Sequence, residues 1–303
     1  MWHPNFHNFL MFRSQSSSTS PDGRRNLLSL FPEGFRITRT PMAQKYLLPT
    51  NVEEMERQAF QHYVFRQQLH GNFCAPVEEA LERGIKVIQI SCGTGVWIIE
   101  MARDFPASTF VGIDMVIPEP PNGIPPNCSF VKASALTKLP FPDKSFDYVY
   151  QRFVVMLYKQ SDWPKAVSEI VRVTKPGGWV ELFDTDMLME RPPKSYIKYE
   201  NAWISSTRAK GIDVGAVRNL EGLLNGGGLK EIESDFVSCP VGWYDRVGEL
   251  TGRNMELIRL ATKQLAPIMK MREEEYEQWA VAVSKELEEN RSWVNGYYAY
   301  GKK

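Results

Sequence analysis

The chain has 303 residues, 43% of them hydrophobic, and its 36 basic side chains are balanced by 36 acidic ones. That is enough apolar material for one large α/β domain with additions, and the even charge gives no global field to draw in nucleic acid or an acidic membrane. The four cysteines, Cys74, Cys92, Cys128 and Cys239, support neither a zinc site nor a disulfide framework, and no run reaches the roughly 18 apolar residues that a membrane span needs.

Residues 1 to about 40 are rich in Ser, Pro, Gly and Asn, with aromatics at no consistent period, and read as an unstructured arm. Arg13, Arg24, Arg25 and the serine-rich run Ser14 to Ser20 loosely resemble a transit peptide, but a disordered tail is preferred. Thr50-Asn51-Val52-Glu53 has capping-box spacing, and Val52, Met55, Ala59, Phe60, Tyr63, Val64 and Leu69 stripe the helix that should follow. A short helix over Pro76 to Arg83 leads to a first strand, Ile85 to Ile90. A helix from Val96 then ends near Phe105-Pro106, and Thr109 to Ile113 is a second strand.

Five prolines between Pro118 and Pro126 exclude helix and make a stiff connection to a third strand, Ser129 to Lys132. Turn residues from Leu139 to Ser145 precede a fourth strand, Phe146 to Tyr150. A helix over Trp163 to Val173 stops at Lys175-Pro176-Gly177-Gly178, and Trp179 to Phe183 is a fifth strand. Strands alternating with helices imply a parallel sheet covered on both faces. Beyond Asp184 the pattern gives helices over Tyr196 to Lys210 and Val214 to Leu224, a sixth strand from Leu229 to Val237, a long helical region from Val247 to Glu289, and a final edge strand, Trp293 to Tyr300.

The stretch Lys86 to Met115 is a βαβ nucleotide-binding unit in outline, and its turn reads Ser91-Cys92-Gly93-Thr94-Gly95-Val96-Trp97-Ile98. A dinucleotide fingerprint needs a third glycine where Ile98 stands, and no Gly-Lys-Ser/Thr follows to make a P-loop. The remaining ligand is a nucleoside without phosphate, with Gly93 and Gly95 letting the backbone approach it and Asp114, at the end of the second strand, gripping the ribose hydroxyls.

Here the chain resembles the class I S-adenosylmethionine-dependent methyltransferases, and within them the fungal LaeA-like small-molecule and regulatory group. The resemblance covers about residues 44 to 303 and rests on ISCGTGVWIIEMA at 90 to 102, VGIDM at 111 to 115, LPFPDKSFDYVYQRF at 139 to 153, EIVRVTKPGGWVEL at 169 to 182 and the closing YYAYGKK. It implies a Rossmann-like α/β fold: a seven-stranded, mostly parallel sheet with an antiparallel last strand, helices on both faces, N-terminal covering helices and a helical lid. It divides the chain into an arm over 1–40 and a methyltransferase domain over 41–303, with lid insertions at about 185–212 and 245–290. It also implies S-adenosyl-L-methionine as cofactor. Cys92, Gly93, Thr94 and Gly95 would hold the methionine part, Asp114 and Met115 the ribose and adenine, and Ser134 and Ala135 the adenine edge, with Gln151 and Arg152 after the fourth strand. Tyr46, Leu48, Pro49, Arg57, Gln61 and His62 resemble the arm that covers the cofactor.

The sequence departs from the family at Gln89, where the first strand carries an acid, at Ser91, where the turn starts with glycine, and at Ser134, where many relatives have aspartate. Each loss of a charge-assisted hydrogen bond costs about 1.5 to 3 kcal/mol. No catalytic residue is assigned, and no metal. The four histidines all precede the nucleotide unit, and His62 reads as structural. Asp143 and Asp147 read as turn carboxylates; Asp184 and Asp186 lie where open α/β sheets keep their sites. Trp203, Trp243, Tyr244 and the Met255 to Met269 apolar series sit in the lid segments, which points to an apolar or aromatic small acceptor. The leading function is methyl transfer to such a small molecule. The competing one is a catalytically weak regulatory or scaffolding protein with a protein partner, on the same fold. Either is expected in the cytoplasm, with the nucleus as the second location.

Overall fold

The computed structural model describes residue 48, residues 51–117 and residues 123–303. The expected arm, the Thr50 side of the first capping box, Tyr46, Pro49 and part of the proline-rich connection lie outside the described residues.

The first helix, α1 (Val52–Gln68), is capped by Asn51, whose Oδ1 accepts from Glu54 N at 3.0 Å, so the cap is the second residue of the expected box. After α2 (Glu78–Arg83) the chain runs β1 (Lys86–Ile90), α3 (Val96–Asp104), β2 (Thr109–Asp114), β3 (Cys128–Lys132), β4 (Phe146–Arg152), α4 (Trp163–Val173) and β5 (Thr174–Asp184). These five strands are parallel in the order β3-β2-β1-β4-β5. From β1 the chain moves outward one way and from β4 the other. Right-handed crossovers therefore place α3 and α4 on opposite faces, and the carboxyl ends of β1 and β4 flank a topological switch point.

β5 starts five residues earlier than the sequence suggests. Lys175-Pro176-Gly177-Gly178 reads as a helix stop, yet it is a bulge within the strand: Phe146 pairs with Thr174 and Tyr148 with Trp179. Glycine is required at 178, where a Cβ would lie 2.7 Å from Asp147 O.

After the two-residue β6 (Met189–Glu190) come α5 (Ile197–Ala209), a 3-10 turn (Val214–Asn219), α6 (Leu220–Gly226), β7 (Lys230–Pro240), α7 (Arg246–Ala261), α8 (Glu273–Glu289) and β8 (Trp293–Lys302). The long helical region is thus two helices, parted by a 3-10 turn at Lys263–Leu265 ahead of Pro267. β8 is antiparallel to β5, β6 and β7. Tyr297 to Tyr300 and Lys302 pair with both β5 and β7, and Trp293 and Val294 with both β6 and β7, so β5 and β6 share one side of β8 and β7 takes the other. Eight strands fill seven positions. The expectation that Trp293 to Tyr300 forms an edge is corrected: β8 is an inner strand and β7 the edge. Glu231, Glu233 and Asp235 along β7 carry the charge that protects an open edge from pairing with another chain.

Trp97 of α3 stacks on Tyr150 of β4 at 4.2 Å between centroids, which closes the core on the α1–α3 face. Ile170 of α4 and Leu224 of α6 are fully buried on the α4 side. No helix among the described residues is long and apolar enough to cross a membrane, and among them no cluster of three His, Cys, Asp or Glu side chains could hold a metal.

Candidate cofactor site at the end of the first strand

The chain leaves β1 through three left-handed residues, Ser91 (φ 53°), Gly93 (φ 57°) and Gly95 (φ 75°). Glycine adopts that region without penalty; Ser91 does so at a cost on the order of 1 kcal/mol. Cys92 N donates to Ile113 O at 2.8 Å, and Gly95 N to Cys92 O at 2.9 Å, which fastens the turn to the end of β2. Gly93 N donates to Asp114 Oδ2 at 2.8 Å, and Val116 N to Asp114 Oδ1 at 3.2 Å. Cys92 and Thr94 are buried, and Gly95 starts α3, whose first amides face the turn. Beneath the turn, a Cβ on Gly112 would lie 2.7 Å from the Phe130 ring and 3.1 Å from Cys92 Sγ. From above, Gln58 of α1 comes so close that a Cβ on Gly93 would sit 3.6 Å from its Oε1.

Met115, just beyond Asp114, is 47% exposed, a high value for an apolar side chain next to a core strand. Ala133 N donates to Asp114 O at 3.1 Å, and this joins the end of β3 to the same rim. Ser134 Oγ accepts from Leu136 N at 3.2 Å and so shapes a local turn, while Ala135 is buried.

Gln151 and Arg152 follow one another on β4 and point to opposite faces of the sheet. Gln151 Oε1 accepts from Tyr158 OH at 3.1 Å, and its Nε2 is buried without a partner among the described residues. Tyr158 also meets the Ser91 side chain. Buried Gln89 Oε1 is likewise unpartnered. Arg152 Nη2 instead lies 2.9 Å from His62 Nδ1 under α1. A guanidinium only donates, so Nδ1 accepts and the imidazole proton sits on Nε2, which donates to Glu100 Oε2 at 2.7 Å. Glu100 also accepts from Arg66 Nη1 at 2.6 Å and Asn72 Nδ2 at 3.1 Å. Burial, then the Arg152 charge, push the His62 pKa down to about 4. For Glu100 burial acts upward, but the hydrogen bond from His62, the Arg66 charge and the hydrogen bond from Asn72 hold it down at about 2. His62 is therefore a neutral, fully enclosed structural histidine.

The rest of the expected covering helix is also occupied. Arg57 donates to Glu54 at 2.8 Å, to Gln61 Oε1 at 2.6 Å and to Asn254 Oδ1 at 3.0 Å, tying α1 to α7. Asp143 meets Arg172 at 2.7 Å, whereas Asp147 accepts from Lys86 N and Lys175 Nζ, so these two carboxylates are not a catalytic pair. Asp184 accepts from Val154 N, Val155 N and Thr185 N at 2.7 to 2.9 Å and thereby fixes the loop after β4; burial raises its pKa to about 7. Asp186 pairs with Arg218 at 2.6 Å.

Sequence reasoning missed three residues here: Gln58, Tyr158 and Glu100. Gln58 and His62 are four apart and so share a face of α1 directed at the turn and α3, a spacing that could have singled out Gln58. Tyr158 and Glu100 carried no local signal.

A parallel sheet in this order, with a glycine turn hydrogen-bonded to the acid at the end of the neighbouring strand, defines a Rossmann-like nucleoside-binding protein. The profile of a methyltransferase domain matches residues 87–178, from β1 into β5. The chain is 30% identical to methyltransferase str3 of Strobilurus tenacellus over 209 residues, covering 67% of this chain and 72% of that protein. It is 25% identical to the N-methyltransferase verN of Clonostachys rogersoniana, covering 74% of this chain and 79% of that protein. It is 32% identical to the secondary metabolism regulator laeA of Coprinopsis cinerea over a shorter span, 46% of this chain and 36% of that protein. The chain belongs to the methyltransferase family.

Proposed function

We propose that this protein transfers the methyl group of S-adenosylmethionine to a small apolar or aromatic acceptor. The observation that carries the reading is the bonded pair of Gly93 N and Asp114, a glycine-lined turn and a carboxylate held together beside the switch point, which suits a nucleoside. The residues fit the cofactor. Gly93 and Gly95 leave the backbone bare, Asp114 can accept from ribose hydroxyls, and Met115 offers an apolar shelf for adenine beside Ser134 and Ala135. Gln89 Oε1 and Gln151 Nε2 are a buried acceptor and a buried donor without partners, as groups that meet a polar ligand would be. Arg152 supports the site through His62 and α1, and Cys92 and Thr94 by packing under the turn.

When bound, the sulfonium supplies an activated methyl carbon with its own leaving group. An acceptor lone pair would then displace S-adenosylhomocysteine from that carbon, the acceptor's proton being lost to solvent. The protein's share is alignment and exclusion of water, which agrees with His62 being unavailable as a base. The segments 185–212 and 245–290 provide an aromatic lid, in which Tyr196, Tyr199, Trp203, Tyr276 and Trp279 stack with neighbouring centroids 5.2 to 6.4 Å apart. Calorimetric titration with S-adenosylmethionine, followed by assay of S-adenosylhomocysteine release with mixed small aromatic acceptors, tests the reading. Saturable binding and acceptor-dependent release are expected; no binding at millimolar cofactor overturns it.

A further inference from the structure

The lid holds a cation that nothing in it neutralises. Arg259 of α7 is fully buried. Its Nε donates to Ala280 O at 3.0 Å and its Nη2 to Ser284 Oγ at 2.7 Å, both in α8, while Nη1 has no partner among the described residues. Among the described residues no carboxylate is ion-paired with it. Ser284 in turn donates to Glu256, and Glu256 is already ion-paired with Arg253. A guanidinium removed from water without a counter-ion is a large expense for a fold.

Two more buried side-chain atoms of the same cluster lack partners, Tyr196 OH and Trp203 Nε1. Tyr196 packs on Tyr199 at 5.2 Å, Tyr199 on Trp203 at 6.4 Å, and Tyr196 lies within electrostatic reach of Arg259. All three orphans are N–H or O–H donors, and the unpartnered acceptors, Asn72 Oδ1 and Gln89 Oε1, belong to the sheet side of the molecule. A group that satisfies only donors, one of them cationic, among aromatic rings is an anion with two acceptor oxygens attached to an apolar, flat body.

We propose that Arg259, Tyr196 and Trp203 form a carboxylate-binding site and that the methyl acceptor is an aromatic carboxylic acid. This deepens the methyl-transfer reading and rests on it for the ligand being the acceptor. All three side chains are buried, so a ligand reaches them only when the lid opens.

The test uses the full-length protein with benzoate as probe and benzamide as its neutral counterpart. Benzoate should raise the melting temperature and bind by calorimetry at least about tenfold more tightly than benzamide, the range of one charge-assisted bond. Arg259→Met should remove that preference, yet without ligand it should melt at or above the wild-type temperature because the unpaired charge is gone. Trp203→Phe, which keeps the ring and deletes one donor, should weaken benzoate several-fold. Equal binding of benzoate and benzamide, undiminished benzoate binding by Arg259→Met, or a ligand-free Arg259→Met protein that melts several degrees low would each overturn the proposal. A parallel S-adenosylmethionine titration separates the two readings: benzoate binding with no cofactor binding defeats methyl transfer and leaves the anion site standing, and the converse defeats the anion site alone.

Discussion

Gly93 N and Asp114 Oδ2 are 2.8 Å apart although 21 residues separate them in the chain, so the turn after β1 and the end of β2 are held as one unit. That bond also holds the carboxylate beside the bare backbone. Asp114→Asn keeps one acceptor oxygen and loses the charge, and S-adenosylmethionine affinity should fall by about 10- to 100-fold. Asp114→Ala should abolish binding at accessible concentrations. Calorimetry on both variants, with circular dichroism to confirm the fold, gives the answer; a wild-type Kd for either would remove Asp114 from the site.

Ser91 occupies a left-handed conformation that the family's glycine adopts at no cost, and its side chain meets Tyr158. Ser91→Gly gains about 1 kcal/mol of backbone relief, so its urea midpoint should rise. Ser91→Ala keeps the strain, and should be about 1 kcal/mol less stable than Ser91→Gly. If the two variants proved equally stable, the strain argument would be wrong.

Much of this arrangement was legible in the sequence because it is local. The first two strands, the Gly93-Thr94-Gly95 turn and Asp114 lie within one βαβ unit, and the five parallel strands fall where the sequence puts them apart from the earlier start of β5. Pairing is not local: Lys175-Pro176-Gly177-Gly178 has a helix-stop composition, and only the register against β4 shows it to be a bulge. In the same way, nothing within Trp293 to Lys302 says that it will be flanked by β5 on one side and β7 on the other. At the site, Arg152 was legible as a residue following β4 but not in its direction, which is fixed by His62, 90 positions earlier.

Glu181 is fully buried in β5 and accepts from Cys74 N, Ala75 N and Tyr148 OH at 2.8 to 3.1 Å. Burial outweighs those bonds and lifts its pKa from 4.5 to about 7. The folded state therefore holds this proton where the unfolded state has released it. Stability falls as pH rises from about 4.5 to about 7, by up to ~3 kcal/mol, and the cost is constant above that. Glu181→Gln removes the titration, so its stability relative to wild type should climb across that window. Urea midpoints at pH 5, 6, 7 and 8 measure the trend, and a difference independent of pH would contradict the assignment.

His62 should give the opposite slope. Its imidazole is enclosed between Arg152 and Glu100, and burial together with the Arg152 charge lowers its pKa from 6.5 to about 4. Between those values the unfolded chain binds a proton that the folded chain refuses, so stability is complete above about pH 6.5 and is lost as pH falls toward 4, again by up to ~3 kcal/mol. In the wild-type protein this rise with pH opposes the falls due to Glu181 and to Asp184, whose pKa burial also raises to about 7, and it offsets part of them between pH 4.5 and 6.5. His62→Gln keeps a neutral side chain that can donate to Glu100 and accept from Arg152, with some loss at all pH values because the amide is a poor match for the ring's reach. Its distinguishing mark is the slope: without the histidine titration, stability should decline more steeply from pH 4.5 to 6.5 than in wild type, and Glu181→Gln in the same background should lessen the decline to the part due to Asp184. A His62→Gln profile parallel to wild type would mean that His62 takes up its proton alike in the folded and unfolded chain, and its lowered pKa would have to be abandoned.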